Sequence, residues 1–250
     1  MFDNGIFHAR SVMSRVQVER LKEAFFRSLE KCEQKRKELG HGSLMQNTVH
    51  HVLFDDPIFS EVITSDQNWN IVADFFKGKF ILNSIGGNNN KGGNSNYASE
   101  IHRDVRFFTQ ERFVLNSILC VSSINQSSGA TEFFLNKGRN AKRIEDLCDD
   151  EPYILSADPG DIFYFDSRIW HRAGEPQREV EERIIFTPIY SRPFIKPGYD
   201  YCRVLKEKDL SGVSCRLKQL CGYYSDIPST LDEWYGSEGR RFYQKEQDEW

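Results

Sequence analysis

The chain has 250 residues, of which 39% are hydrophobic and 13% aromatic, enough for a single domain (1–250) with a substantial core rather than a disordered chain. Its formal net charge is −4 with acids and bases interspersed, so it lacks the basic stripe of a nucleic-acid binder, and no stretch reaches the roughly 18 apolar residues of a membrane span. Six cysteines (Cys32, Cys120, Cys148, Cys202, Cys215 and Cys221) form neither CxxC nor a zinc-finger spacing, which suits a reduced, cytoplasmic protein with no nucleic-acid or membrane partner.

The first third, about 14–78, reads as helical. Ser14 and Gln17 have capping-box spacing, Val18, Leu21, Phe25 and Leu29 recur on one helical face, and Gly40 can end the helix. Asp56-Pro57 is a helix entry with proline at the first helical position. A further helix is expected over 68–77, with Trp69, Val72, Ala73 and Phe76 inward. From Phe80 to about 190 the pattern changes to short runs rich in Ile, Phe, Tyr and Val: "FILNSI", "RFVLNSILCVSS", "TEFFL", "YILSA", "DIFYF", "RIWH" and "RIIFTPIY". Asp158-Pro159-Gly160-Asp161 is a turn between two of them. Many short strands with frequent turns indicate a mainly β, jelly-roll core buttressed by the N-terminal helices. The segment "GGNNNKGGNSN" (86–96) reads either as a surface loop or as a mobile lid over 86–97. Residues 191–250 carry no motif; their aromatics can serve the core or cover a site.

The stretch "SEIHRDVRF" holds the candidate chemistry. In an extended strand, residues i and i+2 share a face, so His102 and Asp104 project together and Arg103 points away. Such a pair can hold one metal ion with a third ligand from a facing strand. Of the remaining histidines, His171 in "DSRIWHRAG" is the best placed. Two histidines and one carboxylate form the facial triad of non-haem Fe(II) oxygenases, which leaves positions open for a 2-oxo acid and dioxygen. The far carboxylate of 2-oxoglutarate then needs a cation, and the fork of an arginine suits it. Arg183, twelve residues after His171, is positioned to return alongside it; Arg178 sits in the charged "EPQREVEER", which reads as a solvated hairpin tip. HxD alone is common by chance, and His171 alone could be a core histidine bonded to a carbonyl. The tripeptide HRD also occurs in protein kinases, but no GxGxxG or DFG accompanies it.

Taken together, "FDNGIFHARSVMSRVQVERLK", "IHRD", "SSGATEFFL" and "PGDIFYFDSRIWHRAGE" resemble the phytanoyl-CoA dioxygenase family of Fe(II)/2-oxoglutarate oxygenases, over residues 2–190. The resemblance implies a double-stranded β-helix, with Fe(II), 2-oxoglutarate and dioxygen as cofactor and co-substrates. It implies His102, Asp104 and His171 as metal ligands, Arg183 as the 2-oxoglutarate arginine and Asn83 as a second co-substrate contact. It also implies hydroxylation of a small molecule with release of succinate and CO2; Asp104 sets the chain apart from halogenating relatives with a small residue there. "LNKGRN" (135–140), Ala173 and Pro176-Gln177 depart from the family pattern without touching the ligands. The other reading is a metal-binding jelly roll that isomerises or binds a ligand without oxygen.

Overall fold

The computed structural model describes residues 2, 4–41, 45–90, 99–136, 140–176 and 182–236. Two antiparallel sheets face each other. The larger contains β1 (Ile6–Ala9), β2 (Thr48–His50), β3 (Ile81–Asn89), β4 (Val114–Cys120), β7 (Ile162–Asp166) and β9 (Ile184–Ser191), in the order β1-β7-β4-β9-β3-β2. The smaller contains β5 (Thr131–Phe134), β6 (Tyr153–Ile154) and β8 (Trp170–Ala173), in the order β6-β5-β8. This is the expected mainly β jelly-roll core.

Alternation along the strands divides the interior in two. Leu115 and Leu119 of β4, Phe186 and Tyr190 of β9, and Ile85 of β3 point to the outer face and join the helices in one core. Ile118 and Cys120, Phe163 and Phe165 of β7, and Ile185 point to the other face and meet Phe133 of the small sheet in a second core. A period of two puts each set on its own side.

The outer core is closed by α1 (Arg15–Glu38), α2 (Pro57–Ile63) and α3 (Asp66–Phe76). Helix α1 begins with the reciprocal Ser14–Gln17 capping box, and Val18, Leu21 and Phe25 are buried, as the periodicity requires. Asp56 caps α2 with Pro57 at its first position. Helix α3 starts two residues earlier than the apolar spacing indicates, because the Ser65 side chain caps it at Asn68 N–H. Asn68 is itself buried: it bonds the Ile63 carbonyl and the Tyr164 and Tyr190 hydroxyls, so a polar residue joins the helix to the sheet.

Two features depart from the sequence reading. Strand β2 comes from the nominally helical stretch 14–78 and, with β1 ahead of that stretch, forms the edges of the large sheet. Residues Gly86–Asn89 are not loop but the end of β3, paired with β9 on one side and partly with β2 on the other. Glycine there answers close packing: a Cβ on Gly86 would lie 2.8 Å from the Val49 carbonyl oxygen, and one on Gly87 2.7 Å from that of Ile185. The rest of the expected lid, 91–97, lies outside the described residues. The C-terminal part contributes α4 (Tyr201–Lys206), α5 (Cys215–Leu220) and α6 (Leu231–Tyr235); Tyr201, Leu205 and Leu220 join the outer core, and Ile85 N–H donates to the Tyr201 hydroxyl. The aromatics Tyr201 and Tyr199, the latter stacked on His51 at 4.4 Å, thus brace the helix side of β3.

Candidate metal centre

His102, Asp104 and His171 converge. One ligand atom from each lies within 4.8 Å of the others. His102 Nε2 is 3.7 Å from Asp104 Oδ1, and His171 Nε2 is 3.9 Å from Asp104 Oδ2. The local route differs from a continuous strand. His102 makes a single bridge to His171, with N–H to O distances of 2.9 and 2.8 Å in the two directions. The chain then bends, and the N–H groups of Asp104 and Val105 both donate to the Ser167 carbonyl. Arg103 points away, as alternation requires: it is buried, donates to the Ala141 carbonyl and lies 4.9 Å over the Trp170 ring.

Both imidazoles are held in one tautomer. His102 Nδ1 donates to the Glu100 carbonyl at 2.7 Å and His171 Nδ1 to the Ile169 carbonyl at 3.0 Å, which leaves each Nε2 as a free electron pair. Burial between Phe165, at 4.8 Å, and Phe133, at 6.0 Å, lowers the His171 pKa, although Asp104 opposes the shift. A neutral imidazole is the ligating form. Exposure rises from 9% for the His171 side chain to 20% for His102 and 35% for Asp104, so the cluster is closed on one side and open on the other.

One partner escapes sequence reading. Asn116, on β4, donates from Nδ2 to Asp104 Oδ2 and is only 4% exposed. An asparagine inside the apolar run "VLNSILC" was the available signal, since a buried amide needs a partner.

Arg183 is 3% exposed and enters from the large sheet, one residue before β9. It therefore faces His171 across the interior rather than lying beside it on a neighbouring strand, because β9 pairs with β3 and β4. Its guanidinium donates to the Gly129 and Ser128 carbonyls, and its Nε has no partner among the described residues. Burial pushes its pKa down to about 10, which still leaves it charged at neutral pH. Gly129 lies four residues before Phe133, which pairs with His171.

Asn83 does not join this group. It sits at the β3 bulge, and its amide donates to the Lys196 carbonyl at 3.4 Å, because the returning segment 196–198 pairs over that end of the strand. Arg178 lies outside the described residues. A depression of about 350 Å³ on the opposite face of the small sheet, spanned by the Arg172–Glu132 ion pair, contains none of the three ligands.

No family model matches the chain. Over 88 residues, 35% of its length, it is 35% identical to the uncharacterized protein Rv1501 of Mycobacterium tuberculosis, covering 32% of that protein. Over 111 residues, 43% of its length, it is 31% identical to dioxygenase af480 of Aspergillus fumigatus, covering 36% of it. The matches thus span about a third of these relatives. Among solved structures, AviO1 from Streptomyces viridochromogenes superposes with a TM-score of 0.58 at 17% identity, covering 77% of this chain and 92% of that one. SnoN, a non-heme alpha-ketoglutarate-dependent epimerase from nogalamycin biosynthesis, gives 0.57 at 16%, covering 84% and 86%. HygX from Streptomyces hygroscopicus, solved with nickel and 2-oxoglutarate, gives 0.55 at 14%, covering 78% and 86%. At these identities the likeness is one of fold, a fold that in SnoN and HygX carries a metal and 2-oxoglutarate.

Proposed function

We infer that this chain is an Fe(II)- and 2-oxoglutarate-dependent dioxygenase of the phytanoyl-CoA dioxygenase type, hydroxylating a small molecule and releasing succinate and CO2. The observation that carries the reading is the pairing of a two-histidine, one-carboxylate cluster with a buried arginine that has no carboxylate partner among the described residues. That donor set is the one non-haem Fe(II) uses, with positions left open. A buried cation without a counter-ion is costly, and the far carboxylate of 2-oxoglutarate would complete it.

When bound, iron with 2-oxoglutarate and dioxygen supplies the oxidising chemistry. The chain's own part is to present two neutral Nε2 atoms and one carboxylate. Asn116 orients that carboxylate, Arg183 anchors the dicarboxylate, and Phe133 and Phe165 keep water from the His171 side. The resemblance of SnoN, an epimerase, gives a second outcome for the same site: inversion at a carbon in place of hydroxylation.

The test is succinate formation by the iron-reconstituted chain. Succinate should appear from 2-oxoglutarate only with both Fe(II) and dioxygen present. Its absence under those conditions would favour the jelly roll that does not use oxygen.

A further inference from the structure

The inner face of the large sheet changes character across its width. Under β7 and β4 it is sealed by the small sheet: Ile118 and Cys120 are buried with Phe163 and Phe165. Among the described residues, no strand of the small sheet pairs or packs over it beyond β9. Register gives the residues of this open half. Asn116, the partner of Asp104, lies opposite Ile189, and Ile189 lies opposite Ser84. In the next inward row Thr187 lies opposite Gly86, and Gly86 opposite His50. Thr187, Ile189, Ser84 and Gly86 are all half-buried although β9 and β3 are internal strands, and His50 is exposed.

This strip starts at the residue that holds the metal-binding carboxylate. At about 4.8 Å between strands it is roughly 10 Å wide from Thr187 to His50. Gly86 keeps its middle low. Its polar groups are under-used among the described residues: Ser84 Oγ makes no hydrogen bond to them, and Thr187 Oγ1 makes only one, of 3.5 Å, to the Gly86 carbonyl. His50 engages Thr48 Oγ1 through Nε2 at 3.2 Å and leaves Nδ1 open. None of these side chains is an acid, lysine or arginine, and only Ile189 is aliphatic; the Arg36 guanidinium, near enough to His50 to join desolvation in lowering its pKa, is turned to the Thr48 carbonyl at 3.1 Å.

We propose that this strip is the substrate subsite, and that the substrate is a neutral, hydroxyl-rich, ring-sized molecule rather than an acyl chain or acyl thioester. A surface for an alkyl chain would be lined by aliphatic side chains, since apolar burial is what holds such a chain. Unpaired hydroxyl and imidazole groups instead select a ligand that satisfies them, because leaving them dry costs the full desolvation penalty. The inference rests on the oxygenase reading of the adjoining metal centre.

The experiment uses the full chain reconstituted with Fe(II), supplied with 2-oxoglutarate and air. Succinate formation above the substrate-free rate is measured with two probe sets: methyl glycosides and cyclitols, and medium-chain fatty acids with their N-acetylcysteamine thioesters. At least one hydroxylated probe should accelerate succinate formation. For that probe, Ser84→Ala and His50→Ala should each raise the apparent KM by about two- to tenfold, the range of one neutral hydrogen bond. Both positions are solvent-accessible, so neither substitution empties the core. Acceleration by the acyl set alone, by neither set, or with a KM unmoved in both variants would overturn the proposal. Failure of the oxygenase reading is distinguishable, because it would also abolish the iron–2-oxoglutarate absorption band of the wild-type chain without any probe.

Discussion

Asn116 Nδ2 donates to Asp104 Oδ2, so the exposed carboxylate of a bent loop is tied to a central strand. One carboxylate oxygen is thereby committed, and Oδ1 is left toward His102 Nε2. Removing a hydrogen bond of this kind behind a metal ligand costs about ten- to hundredfold in metal affinity or activity. Asn116→Ala should therefore weaken Fe(II) binding by about tenfold, read by competition with a chelator. Asn116→Asp, which sets a second carboxylate against Asp104, should be worse than alanine for the metal-free fold. Unchanged Fe(II) affinity in Asn116→Ala would mean that the loop holds Asp104 unaided.

Arg183 gives a separate expectation. Hydrogen bonds to charged groups contribute about 1.5–3 kcal/mol, roughly ten- to hundredfold. Arg183→Leu should raise the 2-oxoglutarate requirement by about that factor while Fe(II) affinity stays nearly constant. Arg183→Lys keeps the charge without the fork and should fall between the two. The check is isothermal titration of 2-oxoglutarate into the iron-loaded variants. If neither variant differs from wild type, the buried guanidinium serves only the Gly129 and Ser128 carbonyls.

Stability in acid should depend on Asp161. Burial alone would raise its pKa, but the N–H groups of Ser11 and Asp158 and the ring of His8 outweigh it and hold the carboxyl below the ordinary 3.8. The folded chain thus keeps this group ionised to lower pH than the unfolded chain does. Its stabilising contribution is complete above the carboxylate range and is lost as pH falls through the folded value. Asp161→Asn should lower unfolding free energy at neutral pH by about 1–3 kcal/mol. In urea titrations the gap from wild type should narrow once the buffer is more acidic than the folded pKa. A constant gap at all pH values would assign the loss to packing.

Much of this was readable from residue order. Alternation and turn residues gave seven of the nine strands, and a capping pair or an Asp-Pro entry marked α1 and α2. The edge strand β2 was harder: it is three residues long and owes its form to pairing with β3, not to local preference. Asn68 and Gly86 ran against local preference for the same reason, since a distant partner decides each. At the candidate site, spacing brought out His102, Asp104 and His171, whereas Asn116 carried no motif. Arg183 was identified by residue type and distance along the chain, but which sheet it would enter is a property of strand pairing. Asn83 was assigned by resemblance, and its bulge and its bond to the Lys196 carbonyl could not be read from its neighbours.

The central claim is that these three ligands and Arg183 together hold Fe(II) with 2-oxoglutarate. Anaerobic titration of the chain with both, followed by visible absorption, tests it most directly because no substrate is required. A weak charge-transfer band should grow to saturation at one iron per chain, vanish in His171→Ala, and persist in His50→Ala. A band unaffected by His171→Ala, or none in the wild-type chain with Fe(II) bound, would contradict it.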